Sequence, residues 1–152
     1  MTRRYLVEEV DGELEALHRV ADEIEALLAE TGEGDPGVRV STLVGAFMHQ
    51  FYNGVESILK RFCVFYSVPL PEGGRSHIDL LGLFGPGSDR PLPLRLDAEL
   101  YRDLEPFRQF RHVFRMSYGF QLDWTQFSPG AATARPVLDR FEAAVRDVLS
   151  HV

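Results

Sequence analysis

Near the start of the chain, Val7, Val10, Leu14, Leu17, Ala21, Ile24 and Leu28 recur at alternating intervals of three and four residues. A strand cannot use that spacing, because its side chains change face at every second residue. A helix sets the same positions along one narrow seam. Glu and Asp fill the remaining faces, which predicts a long bundle helix with a solvated acidic side. The repeat is too short for a free-standing coiled coil. The stretch TGEGDPGV then ends the helix with Gly and Pro. Whatever follows must cover the seam. Convincing strand alternation occurs nowhere in the sequence, so the cover is expected to be more helix.

A second long helix is predicted from about Ser41 to Tyr66. Its apolar stripe is Val44, Phe47, Phe51, Val55, Ile58, Phe62 and Phe65. Beside it runs a polar row at helical spacing: His49, Asn53, Glu56 and Lys60. Such a row fits a solvated face. It also fits an internal ion pair in which Glu56 meets an arginine of a neighbouring helix. A metal site is disfavoured, since one His and one Glu seven residues apart, with no HExxH pattern, do not make a ligand set.

Further along, Ser76 is placed to cap a short helix, HIDLLGLF, with Asp79 three residues on. His77 is then the first helical residue, in a structural rather than a catalytic place. Asp97 can cap the next helix. Pro106 falls inside that helix, where it must kink it or mark a fresh first turn, and Gly119 is expected to stop it. LDWTQFSPG reads as a turn. Thr133 and Pro136 start a last helix with Val137, Phe141, Val145 and Val148 inward. The loops are too short to link domains, and repeats and low-complexity tracts are absent. The expectation is a single domain over residues 1–152, all-α, an antiparallel four-helix bundle plus a short extra helix.

A chain of 152 residues can bury one real core. Its net charge of −7 excludes general coating by nucleic acid, so any such binding must come from a local patch. The one cysteine, Cys63, excludes an internal disulfide and any CxxC metal knuckle, and its apolar neighbours suggest a buried, inert thiol. The opening MTRRYLVEEVDGELE carries charge too early for a signal peptide. No apolar run approaches the roughly 20 residues of a spanning helix. These readings predict a cytoplasmic protein with no membrane association, cofactor or metal.

One stretch stands against the acidic background. RQFRHVFRMSY, residues 108 to 118, holds three arginines and a histidine with no acidic residue among them. At about 100° per residue, Leu100, Leu104, Phe107, Phe110, Phe114 and Tyr118 fall on the packing side. Arg108, Arg111, His112 and Arg115 fall together on the adjoining side. Arg111 lies at the border, where a carboxylate such as Glu56 can hold its planar guanidinium half buried. Cations this close repel one another unless they face water, pair with acids such as those of the first helix, or receive an anion. The anion that suits the row is a phosphate backbone.

The second helix, FMHQFYNGVESILKRF, with PEGGRSHIDLL and then FRQFRHVFRMSYGFQLDW, resembles the HepT-like branch of the HEPN superfamily over nearly the whole chain. The arginine helix followed by YGFQLDW is the most specific part. The resemblance implies a small all-α protein, the toxin half of a pair whose antitoxin is a minimal nucleotidyltransferase (MNT). It implies a metal-independent endoribonuclease and a homodimer whose two motifs line one groove. In that branch the motif is Arg, four residues, His, one residue, Tyr. Here it reads Arg111, HVFR, Met116, Ser117, Tyr118. The arginine and the tyrosine match, and the histidine is replaced by Met116. The tyrosine of the motif is the residue on which the partner places adenylate, which makes Tyr118 a candidate modification site. An aromatic core residue with its hydroxyl at the edge is the alternative for Tyr118.

The replacement matters chemically. RNA cleavage without a metal needs one group to take the 2′-hydroxyl proton and another to protonate the leaving oxygen. Imidazole does both near neutral pH, and a thioether does neither. Arg111 can still stabilise charge on the phosphorane. His112, four residues after Arg108 and on its face, is the substitute proton carrier within the basic stretch. Two readings follow. One is an endoribonuclease with Arg111 and His112 catalytic, Arg108 and Arg115 on phosphate, and Tyr118 as the off-switch. The other is a catalytically degenerate module that binds RNA, a nucleotide or its nucleotidyltransferase partner without cutting.

Overall fold

The computed structural model describes residues 1–152, which form six α-helices and no strand. Helix α1 (Arg3–Thr31) begins where the Thr2 hydroxyl accepts the Tyr5 backbone N–H at 3.1 Å. Its buried seam is Leu6, Val10, Leu14, Leu17, Ala21 and Ile24. Leu6 takes the place expected of Val7, and Leu28 is only half buried. Helix α2 (Val38–Phe65) returns antiparallel to α1. They approach closely at Gly54, where a Cβ would stand 2.6 Å from Leu17 Cδ2. Only glycine admits the leucine there.

α2 is the central helix, with α1, α3, α4 and α5 all packed on it. It therefore buries more than its expected stripe. Met48, Tyr52, Leu59 and Cys63 are inside together with Val44, Phe51, Val55, Ile58 and Phe62, while Phe47 and Phe65 are only partly covered. Phe51 meets Phe107 of α4 at a ring separation of 4.8 Å. Truncating such a ring costs about 3–5 kcal/mol. Burial pushes the Cys63 thiol up to about 11, which leaves little reactive thiolate at neutral pH.

Helix α3 (Ser76–Leu83) is not capped by Ser76. Arg75 holds the cap position, and the Ser76 backbone N–H instead closes a turn on the Gly73 carbonyl at 3.2 Å. Asp97 caps α4 (Ala98–Met116), its carboxylate accepting the Leu100 N–H at 2.7 Å. α4 runs on through Pro106 and ends at Met116, before the expected stop at Gly119. Gly119 has a different task. It opens a 3-10 turn, Gly119–Gln121, pressed so closely on α2 that a Cβ would run into the Thr42 hydroxyl.

The segment expected to be a turn is a helix, α5 (Trp124–Ala131). Asp123 accepts the Thr125 N–H at 3.2 Å, and Trp124, Phe127 and Ala131 are buried at intervals of three and four. Pro129 is tolerated near the end of two turns, where few backbone bonds depend on it. α6 (Ala134–Ser150) starts after Thr133 and packs on α1 and α4.

α1, α2, α4 and α6 close an antiparallel ring around one core of 36 residues. The acidic side of α1 is less solvated than expected. Arg135 of α6 bonds Asp22 and Glu25, Arg146 bonds Asp11, and Arg61 of α2 meets Glu9 at 2.7 Å. These partners come from α2 and α6, so the arginines of α4 are left to other uses. No helix is long and apolar enough to cross a membrane.

Candidate functional site

Three members of the polar row of α2, His49, Asn53 and Glu56, face α4, while Lys60 is exposed. Glu56 is only 3% exposed. A carboxylate that far from water needs polar or charged partners, and it has two. One is His77 of α3, with Nδ1 at 2.6 Å from Oε2. The other is Arg111 of α4, with Nε at 3.7 Å from Oε1. Arg111 also donates from Nε to Asn53 Oδ1 at 3.3 Å. The side chain is thus held by its inner nitrogen and is 16% exposed. Its two terminal nitrogens make no hydrogen bond within the chain, and neither is sealed from solvent. A guanidinium fixed in this way offers donors outward in the fork that suits phosphate oxygens.

The other cations of α4 divide into two kinds. Arg108 is engaged by Glu105, one turn earlier, through Nε at 3.2 Å and through Nη2. That bond raises the Arg108 pKa above its already high ordinary value. Its charge is locally neutralised, which weakens it as a phosphate ligand. Arg115 and His112 are exposed and make no hydrogen bond or ion pair with the rest of the chain. The repulsion inherent in the row is relieved at Arg108 and Arg111 by carboxylates and left open at Arg115 and His112.

His49, one turn before Asn53 on α2, completes the inner edge. Its ring stacks on Phe114 of α4 with centroids 5.1 Å apart. Its Nε2 lies 3.2 Å from the Asn53 amide nitrogen. Its Nδ1 is buried without a partner. Burial and then the charges of Arg111 and Arg115 hold its pKa below the ordinary 6.5, against a weaker upward pull from Glu56. The ring is therefore neutral at physiological pH.

Past the end of α4 the surface turns apolar. Met116 is 73% exposed, so its thioether stands in water at the motif position and touches no part of the core. Tyr118 does not lie on the packing side as the helical projection placed it. The helix has ended by then, and the ring is 71% exposed, stacked on Phe120 at 5.5 Å and 6°. This removes the reading of Tyr118 as a core aromatic.

Glu56, Arg111 and Arg115 therefore gather at one place on the α2–α4 seam, with Tyr118 beyond the helix end. Arg108 is drawn back to Glu105, and His112 stands apart from any partner. Two members of the cluster were missing from the sequence reading of the site, His49 and Asn53, and His77 had no partner assigned. Their signal was present as the spacing of four and three from His49 to Asn53 to Glu56. What the sequence lacked was the orientation of that row toward α4. No three His, Cys, Asp or Glu side chains converge in the fold as a metal site would require.

A family model described as HepT-like protein matches residues 43–152, more than half of the chain, from early α2 through α6. No curated protein and no solved structure gives a significant match.

Proposed function

The chain belongs to the HepT-like protein family, and on that premise we propose that it is the toxin component of a HEPN/MNT toxin–antitoxin pair, a metal-independent endoribonuclease. The observation that carries this reading is the state of Arg111. Its Nε is anchored by Asn53 and Glu56 while its terminal nitrogens stay free. A rigid outward fork of this kind stabilises charge that develops on a phosphorane better than a mobile surface arginine does. Arg115 extends the positive edge along the helix. The exposed stacked rings of Tyr118 and Phe120 add a surface on which unpaired bases can lie.

In this reading two copies associate through α4 and their arginine rows face one groove, as the HepT-like family implies. The nucleotidyltransferase partner silences the groove by adenylating Tyr118, whose exposure supports access to the ring. The test is incubation of the purified chain with single-stranded RNA in excess EDTA. Cleavage to 2′,3′-cyclic phosphate and 5′-hydroxyl ends is expected, with a loss of about 100-fold or more in Arg111→Ala. Intact RNA after prolonged incubation at high protein concentration would remove the nuclease assignment.

A second reading rests on Met116. Its exposed thioether occupies the place of the motif imidazole and can move no proton. A chain that binds RNA or its partner without cutting is the outcome that observation favours. It is recognised by salt-sensitive RNA binding in the absence of cleavage.

A further inference from the structure

The motif position on α4 has no imidazole, but the neighbouring helix brings one to the same guanidinium. We propose that His49 of α2 is the proton acceptor of the RNA-cleaving site, taking over the task left vacant by Met116. The inference rests on the endoribonuclease reading above and deepens it. Three observations support it.

The first is placement. Asn53 accepts the Arg111 Nε–H on Oδ1 at 3.3 Å and directs its amide nitrogen at His49 Nε2 at 3.2 Å. The imidazole and the guanidinium are thus held one side-chain amide apart, on one edge of the seam. A phosphate gripped by the free nitrogens of Arg111 brings its neighbouring ribose within reach of that ring.

The second is orientation. Phe114 fixes the plane of the ring by stacking, and Nδ1 is turned inward without a partner. With the Asn53 amide pointing at Nε2, the lone pair is assigned to Nε2 and the proton to Nδ1. The nitrogen that can receive a proton is the one on the Arg111 side. A ring that only filled space in a helix interface would not need a nitrogen there.

The third is protonation state. The charged groups acting on the ring are Arg111 and Arg115 of α4, which disfavour a proton, and Glu56 of its own helix, which favours one. Burial, the largest influence, also disfavours the proton, and the ring is left a neutral base at physiological pH.

The step balances without a co-reactant. The substrate 2′-hydroxyl displaces the Asn53 amide at Nε2 and gives up its proton there. The O2′–P bond forms and the P–O5′ bond breaks. Arg111 bears the extra charge on the phosphorane. The leaving 5′-oxygen takes a proton from water, and His49 returns its own to solvent. The products are a 2′,3′-cyclic phosphate and a 5′-hydroxyl.

The test compares the full chain with His49→Gln, His49→Phe and His112→Ala, on end-labelled single-stranded RNA in EDTA. His49→Phe keeps the stacking on Phe114 should Gln disturb the seam, and circular dichroism reports the fold. Both His49 variants should lose cleavage by about 100-fold or more, while RNA affinity by fluorescence anisotropy stays near that of the parent. His112→Ala tests the alternative carrier on α4: loss of cleavage there, with parental cleavage in the His49 variants, overturns the assignment to His49. The parent rate should rise with pH along a limb centred below 6.5, and that limb should be absent from the residual activity of the variants. Cleavage at the parental rate by either folded His49 variant overturns this assignment and leaves the nuclease reading standing. Loss of RNA binding together with cleavage assigns His49 a structural role and also overturns it. A parent chain that binds RNA and never cuts it overturns the nuclease reading, and the role of His49 falls with it.

Discussion

At the residue scale, Glu56 decides most about the site. It is a buried charge whose stability depends on His77 and Arg111 together. Removing it strands a partly buried guanidinium and an imidazole, so Glu56→Ala should cost about 3 kcal/mol in urea unfolding. Glu56→Gln should cost less, since the amide oxygen still accepts a hydrogen bond. The sequence made this pairing legible, because Glu56 sits in a polar row beside an apolar stripe and Arg111 sits at a helix border. It did not make His49 legible. A histidine near the start of a polar row looks solvated until the facing helix is known to bring two arginines and Phe114 onto it. That environment has a consequence for stability. The unfolded chain takes up a proton at His49 near the ordinary value of 6.5, and the folded chain does so only at lower pH. As pH falls through this window the unfolded state binds more protons and stability drops. His49→Gln should therefore flatten the loss of stability between neutral and mildly acidic pH, as read from urea midpoints.

At the element scale, α4 owes its start to one cap and the end of its neighbourhood to one contact. Asp97→Ala should cost about 1 kcal/mol, read as a lower thermal midpoint with unchanged helix content. Gly119→Ala should push the 3-10 turn off Thr42 at a cost of about 1–3 kcal/mol. It should also loosen Tyr118 and Phe120, which would show as a faster proteolytic cut after α4. Caps and long seams were readable because each is a short local code. α5 was not, because SPG carries the residues of a turn and eight residues give the three-and-four spacing little room to declare itself. Its identity is tertiary. Trp124, Phe127 and Ala131 are helical because α2 and α4 offer them a surface. The same holds for the extra buried positions of α2, which follow from its place at the centre of the molecule and not from its own pattern.

At the scale of the whole molecule, a chain of net charge −7 can engage RNA only where its cations remain unspent. Arg135 and Arg146 of α6 and Arg61 of α2 are committed to the acids of α1, Arg140 of α6 to Asp103 of α4, and Arg108 to Glu105. Binding should therefore depend on few contacts. Arg115→Ala should weaken RNA affinity and reduce the slope of log affinity against log salt by about 0.7, measured by anisotropy titrations. Val113 and Met116 give the outer face of α4 an apolar surface suited to a second copy. Met116→Glu should shift the proposed dimer toward monomer in sedimentation velocity. The first helix adds a last point. The family match begins at residue 43, after α1 has ended, yet Leu17 is keyed into the notch at Gly54 and six α1 side chains seal one wall of the core. A polypeptide trimmed to the recognisable portion would be born with an open greasy trench and should precipitate on synthesis. Supplying residues 1–31 in trans as a separate peptide should restore it to solution.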